Sequence, residues 1–231
     1  MKSSLFILPL ALLFASCASV SITGKREAVV PAQKPAVIYV QNFSTADGEW
    51  KITSRSKNAQ QFKQDTADIL AVNLVNEIRK YIGPAERATS GKLPANAWLL
   101  SGRFIRVCEG SPGLRVLIGV GAGGTKMETE TLVSAGAGAS FLHFATTGGS
   151  NAMPGLLVST GPGNSALNAV SQATMSVHGD AKRTARMITA SIAEYMVERG
   201  WLKSSQLKAK KPGEYQLLQS DVLQSSSAKK R

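Results

Sequence analysis

The order of elements predicts an α/β domain, a mixed sheet of about five strands packed by two or three helices. Three observations carry this. Asn58 to Ile82 holds one apolar stripe at helical spacing, with Ile69, Leu70, Leu74, Val75 and Ile78 among its members. Two apolar runs flank it, AVIYVQNF (Ala36–Phe43) and AWLLSGRFIRV (Ala97–Val107), both rich in strand formers. Lys126–Ser134 and Ser140–Thr147 then read as an antiparallel hairpin around the loop AGAGA. Only one βαβ unit precedes that hairpin, so the sheet is mixed rather than doubly wound.

Taken in order, Ala36–Phe43 starts apolar on both faces, as a central strand does. Ser44–Lys57 is polar and contains Asp47, Gly48 and Trp50, which predicts a loop. Asn58 is placed to cap the first helix, with Gln61 completing a capping box, and Gly83-Pro84 stops it. Ala97–Val107 is a second strand in which strict alternation would put Arg103 and Arg106 on opposite faces. Leu114–Val120 is compatible with a third strand or a short helical turn, because seven residues do not separate the two periods. In the hairpin, Met127, Thr129, Thr131 and Val133 alternate with Lys126, Glu128, Glu130 and Leu132. A helical region is expected over Ser165–Val177 and a last helix over Ala181–Arg199, with Asp180 as its N-cap and Gly200 as its stop. The domain so defined covers residues 36–202, and the basic tail 203–231 is expected to be disordered.

The chain of 231 residues carries a net charge of +12, which admits nucleic acid, an anionic membrane surface or an anionic wall polymer as neighbour. The first residues narrow that choice. MKSSLFILPLALLFAS has one basic residue, Lys2, and an apolar run from Leu5 to Phe14 that is too short to span a bilayer, so residues 1–16 read as a signal peptide. The run leads into FASCAS, with small Ala15 and Ser16 directly before Cys17. This resembles the bacterial lipoprotein box, with Phe14 where leucine is usual. The resemblance implies cleavage before Cys17, a diacylglyceryl lipid on its sulfur, and, because Ala18 rather than aspartate follows, sorting to the periplasmic face of the outer membrane. Ala18 to Pro35 then reads as a small, polar tether, giving a lipidated segment 17–35. An exported protein rarely meets nucleic acid, so an anionic lipid or wall polymer is the better match to the charge, and no nucleic-acid partner is expected. The other cysteine, Cys108, ends a strand beside Glu109 and reads as a half-buried structural thiol.

Glycines dominate the middle of the chain, with eleven of the 21 between Gly119 and Gly163. Gly119, Gly121 and Gly124 fit G-x-G-x-x-G, but the sequence that follows, TKMETETLVS, has period two and opens a strand, whereas a dinucleotide loop must open a helix. Lys126 follows Thr125, the reverse of the Walker order. The segment 119–163 is therefore a surface insertion or a contact segment, with Gly119, Gly121, Gly123, Gly124, Gly148 and Gly149 as its candidate contact positions.

The runs LRVLIGVGAGGTKMETETLVS and FLHFATTGGSNAMPG resemble a family of bacterial lipoproteins catalogued as domain of unknown function 4410, over roughly Ala36 to Leu202. The order of elements is also similar to that of the curli-secretion-channel lipoprotein and of the lipoprotein activators of penicillin-binding proteins. Those share an anticodon-binding-like α/β core, which implies a sheet with two helices here. The AGAGA loop departs from the acidic turn usual in related sequences. No catalytic residues are established for the family, so none is carried over.

No residue pattern specifies an enzyme. His143 and His178 lack a second ligand at metal spacing. Glu128 and Glu130, beside Lys126, read as a solvated strand face. The serines lack a G-x-S-x-G context. The expectation is a non-catalytic envelope lipoprotein without cofactor or metal, binding an envelope protein or anionic wall polymer. The alternatives are a subunit of a homo-oligomeric assembly or secretion-channel-like ring and, less favoured, a hydrolase.

Overall fold

The computed structural model describes residues 19–27, 31, 33–53, 58–89, 92–110, 124–136, 138–149 and 177–207. It shows an α/β fold with one mixed sheet and two long helices among these residues. The strands are β1 (Ser19–Glu27), β2 (Val37–Val40), β3 (Glu49–Lys51), β4 (Ala85–Arg87), β5 (Ala97–Cys108), β6 (Lys126–Ala135) and β7 (Ser140–Gly149). The helices are α1 (Ala59–Tyr81) and α2 (Val177–Glu198), and a 3₁₀ turn covers Ser204–Leu207. The seven strands are ordered β1-β7-β6-β5-β2-β4, with β3 also on β5. β2, β3 and β4 join the sheet in parallel, and β6, β7 and β1 join it antiparallel.

Register defines two ends of the sheet. At the upper end Ser19, Gly149, Lys126, Cys108 and Lys51 lie side by side. At the lower end β1 finishes at Glu27, and Ala135 pairs with Trp98. Both helices run from the upper end to the lower. Trp50 of β3 packs edge-on against Phe62 in the first turns of α1, at 6.3 Å. Arg199, just past α2, reaches Glu27 at 3.0 Å.

Both helices cover one face of the sheet, α1 over β2 and β4 and α2 over β6, β7 and β1. The core forms where Leu70, Leu74 and Ile78 of α1 and Ile188, Ile192 and Met196 of α2 meet Val40, Leu100, Phe104, Val133, Leu142 and Phe144. Alternation on β6 is complete, with Met127, Thr129, Thr131 and Val133 buried and their neighbours half-buried on the outer face. Two of the buried threonines face cross-strand partners differently: Thr129 shares a hydrogen bond with Thr146 at 2.7 Å, and Thr131 Oγ1 has no partner among the described residues.

Asn58 caps α1 as expected, its side chain accepting from the Gln61 N–H at 3.1 Å. Among the described hydrogen bonds the Gln61 side chain does not accept from the Asn58 N–H; its amide nitrogen donates to Asp65 at 2.7 Å. Gly200 ends α2 in the left-handed region, at φ 72°, with Gly200 N–H to Val197 O and Trp201 N–H to Met196 O. These two bonds satisfy carbonyls of the last turn.

Five expectations are corrected. Ser19–Glu27 is a paired edge strand and not a tether, so the ordered fold starts well before Ala36. The pairing was hidden because this edge strand buries Val20 (Ile22 packs partly against the core) and breaks its alternation at Gly24, between the paired Thr23 and Arg26. Glu49–Lys51 is a strand inside the stretch that reads as a loop, and Ala85–Arg87 is a strand between Gly83-Pro84 and Ala97; each is three residues long and is held by backbone pairing, with Trp50 packed on Phe62 and Phe104 and Ala85 buried in the core. Asp180 is not an N-cap. It lies inside α2, fully buried and ion-paired with Arg183, because the helix runs on through Gly179 from Val177. Arg103 and Arg106 share one face, because a bulge at Ile105 lets Phe104 and Val107 both point into the core. The residues after Leu202 begin with an ordered 3₁₀ turn before the tail. Leu114–Val120, residues 1–18, most of Ser165–Val177 and the tail beyond Leu207 lie outside the described residues.

Candidate functional site

The outer face of the sheet has no helix over it among the described residues, and its side chains make a ladder of paired charges. Alternation on β6 sends Glu128 and Glu130 to this face, and the β5 bulge sends both arginines there. Arg103 hydrogen-bonds Glu130, and His143 Nε2 lies 2.7 Å from the other oxygen of the same carboxylate. Arg106 donates to Glu49 at 2.7 Å and stands 3.9 Å from Glu128, which Lys126 approaches at 2.7 Å. Lys51 closes the row on Glu49 at 3.2 Å.

The electrostatics follow from these contacts. The Arg103 hydrogen bond holds the Glu130 carboxyl below the usual carboxylate range, against the opposing effect of burial and helped by His143. Arg106 and Lys51 do the same for Glu49. A carboxylate pinned in its charged form is a poor proton donor near neutral pH. Burial pushes the Cys108 thiol up, away from the thiolate that a nucleophile requires. Glu109 nearby accepts from the N–H and hydroxyl of Thr53, at 2.8 and 2.7 Å. The arrangement is suited to electrostatic contact rather than to acid–base or nucleophilic chemistry. The arginines are already engaged by carboxylates, so neither is a free phosphate grip. Among the described residues no cluster of three or more His, Cys, Asp or Glu is arranged to hold a metal ion.

The glycine positions divide. Gly119, Gly121 and Gly123 lie outside the described residues, as does Cys17. Gly124 leads into β6 at the upper end. Gly148 and Gly149, expected in a loop, are the last two residues of β7 and pair with both neighbours, Gly148 with Val20 and Met127 and Gly149 with Ser19 and Lys126. A Cβ on Gly148 would overlap the Val20 side chain, and one on Gly149 would overlap the Thr125 carbonyl. Both positions are closely packed, which by itself suits glycine. The charge ladder itself was not read from the sequence. Its signal was the three-residue spacing of the apolar Phe104 and Val107, which a bulge explains and strict alternation does not.

A second feature lies at the lower end. Trp98, Phe141, Tyr195 and Trp201 pack with ring centroids 4.7 to 6.5 Å apart. The Arg199 guanidinium stacks on Tyr195 at 3.5 Å. This cluster locks the end of α2 to the sheet.

No curated protein matches the chain. Among solved structures, the PelC dodecamer from Paraburkholderia phytofirmans is similar at 13% identity, covering 84% of this chain and 100% of that one, with a TM-score of 0.33. A point variant of the same PelC dodecamer is similar at 17% identity, over 72% and 97% of the two chains, with a TM-score of 0.32. A family match spans residues 38–166, more than half of the chain, from β2 through the charge ladder and the β6–β7 hairpin. The chain belongs to the family described as Domain of unknown function (DUF4410).

Proposed function

We propose that this protein is a lipid-anchored component of the bacterial envelope, held at the periplasmic face of the outer membrane through Cys17, and that it acts by contact rather than by catalysis. The observation that carries the reading is the junction of leader and fold. The apolar run Leu5–Phe14 and the small Ala15-Ser16 end at Cys17, and the first sheet pairing begins at Ser19. Cleavage before Cys17 therefore removes no residue of the sheet. The contact role is supported by the outer face, where carboxylates are held ionised by arginines and the Cys108 thiol is shifted away from reactivity. Its interleaved, mutually paired charges suit a polar protein partner.

Incorporation of labelled fatty acid tests the anchor. The expected outcome is label on the native protein and none on Cys17→Ser, with the variant released from the membrane fraction. Label retained by Cys17→Ser would overturn the reading.

A subunit role in a homo-oligomer is a second reading, favoured by the open edge of β1. Ser19–Thr23 is uncharged and, among the described residues, pairs on one side only, with β7. Such an edge is a template for another strand. Light scattering of the lipidated protein in detergent separates the two readings, since a strictly monomeric particle excludes self-assembly.

A further inference from the structure

The orientation of the domain on its membrane follows from where β1 begins. This inference rests on lipid attachment at Cys17. Ser19 pairs with Gly149, and the next residue, Val20, is 4% exposed and packed on Gly148. Only Ala18 separates the lipid-bearing residue from the sheet. Two Cα–Cα steps reach about 7 Å at full extension. The lower end of the sheet is much farther off. β6 alone runs the length of the sheet, from Lys126 to Ala135, which at the usual rise per residue is about 30 Å. A leash of that length leaves the upper end no room to lift away from the surface that holds the lipid.

Charge points the same way. Lys51 and Lys126 stand at the upper end with side chains 68% and 40% exposed, although each also approaches a glutamate two residues away on its strand. The stretches that join the described residues at this end (1–18, 54–57, 111–123 and 150–176) contain no aspartate or glutamate. Among the described residues, Glu109 lies at the end itself and is turned to Thr53, and Asp180 in the first turn of α2 is buried. We propose that the upper end of the sheet, where Ser19, Lys51 and Lys126 lie, rests on phospholipid headgroups, with the lower end directed away from the bilayer.

The test uses the full lipidated chain in vesicles of phosphatidylethanolamine and phosphatidylglycerol carrying a headgroup-linked quencher. On a Cys108→Ser background, single fluorophores are placed at Lys51→Cys or Lys126→Cys and at Asn96→Cys or Ala135→Cys. Mass measurement of the N-terminal peptide establishes lipidation first. The expected result is several-fold stronger quenching at 51 and 126 than at 96 and 135. A flexible Gly/Ser insertion between Ala18 and Ser19 should level the difference while the lipid stays in place. Equal quenching at both ends of a lipidated, uninserted chain overturns this inference and leaves the anchor standing. An unlipidated N-terminal peptide overturns both.

Discussion

At the scale of the residue, the sharpest constraints are places where a side chain has no room or no partner. Gly102 sits where no side chain fits: an added Cβ would overlap the Glu130 carbonyl and come within 2.6 Å of the Phe43 ring. Gly102→Ala should destabilise by about 1–3 kcal/mol, the usual cost of overpacking, read as a fall in denaturation midpoint. Gly148→Ala should behave similarly, but there the obstacle is the Val20 side chain. Val20→Ala should therefore recover part of the loss in the double variant, and a strictly additive pair would show that the clash lies elsewhere. Tyr195 is the opposite case. Its ring is buried among Trp98, Phe141 and Trp201, and its hydroxyl has no hydrogen-bond partner among the described residues. Tyr195→Phe removes a buried hydroxyl that has no partner among the described residues. Its thermal midpoint should equal or exceed that of the native protein, and a clear decrease would reveal a partner for the hydroxyl.

At the scale of the element, legibility tracked how much of the pattern was local. α1 was readable from cap to stop because Asn58, the apolar stripe and Gly83-Pro84 all act within the helix itself. Asn58→Ala should cost about 1 kcal/mol, measured by thermal melting followed by circular dichroism. The hairpin β6–β7 was readable for the same reason, since β6 alternates along Lys126–Ser134 and β7 alternates from Leu142 onward. The elements that escaped depend on distant partners. β1 becomes a strand by pairing with β7, more than a hundred residues later in the chain. β3 and β4 are too short for any period to show. The charge ladder required knowing that Ile105 is a bulge, because that one extra residue decides whether Arg106 meets Glu49 or the core. Asp180 misled because an acidic residue before an apolar stripe is the usual sign of a helix start, and here a buried pairing with Arg183 replaces the cap.

At the scale of the whole molecule, several carboxylates titrate below their ordinary range. Hydrogen bonds from arginines lead the shifts of Asp68, Glu49 and Glu130, through Arg87, Arg106 and Arg103 respectively. For Glu27, burial pushes upward, and Arg199 with Lys25 overcomes it. A carboxyl with a depressed folded value adds stability that is complete above its unfolded value and is lost as pH falls through the folded one. Stability should therefore be level from neutral pH down to about 5 and decline below that, as the unfolded carboxyls begin to take up protons. Because these pairs are largely exposed, added salt should shrink the pH dependence. A denaturation midpoint that rose on acidification would contradict the assignment. The assembled outer face is a property of this scale too, since its charges come from β3, β5, β6 and β7 and no single stretch displays them.

The described chain starts at the upper end of the sheet and finishes near the lower, where Trp201 packs on Trp98 and the turn Ser204–Leu207 follows. The six lysines and arginines beyond Leu207 are thus joined to the fold about one strand length, roughly 30 Å, from Ser19. Screening in physiological salt decays over about 8 Å. The point where those cations join the fold is consequently deaf to the charge around Ser19, and the fold acts as an insulating spacer between two electrostatic environments.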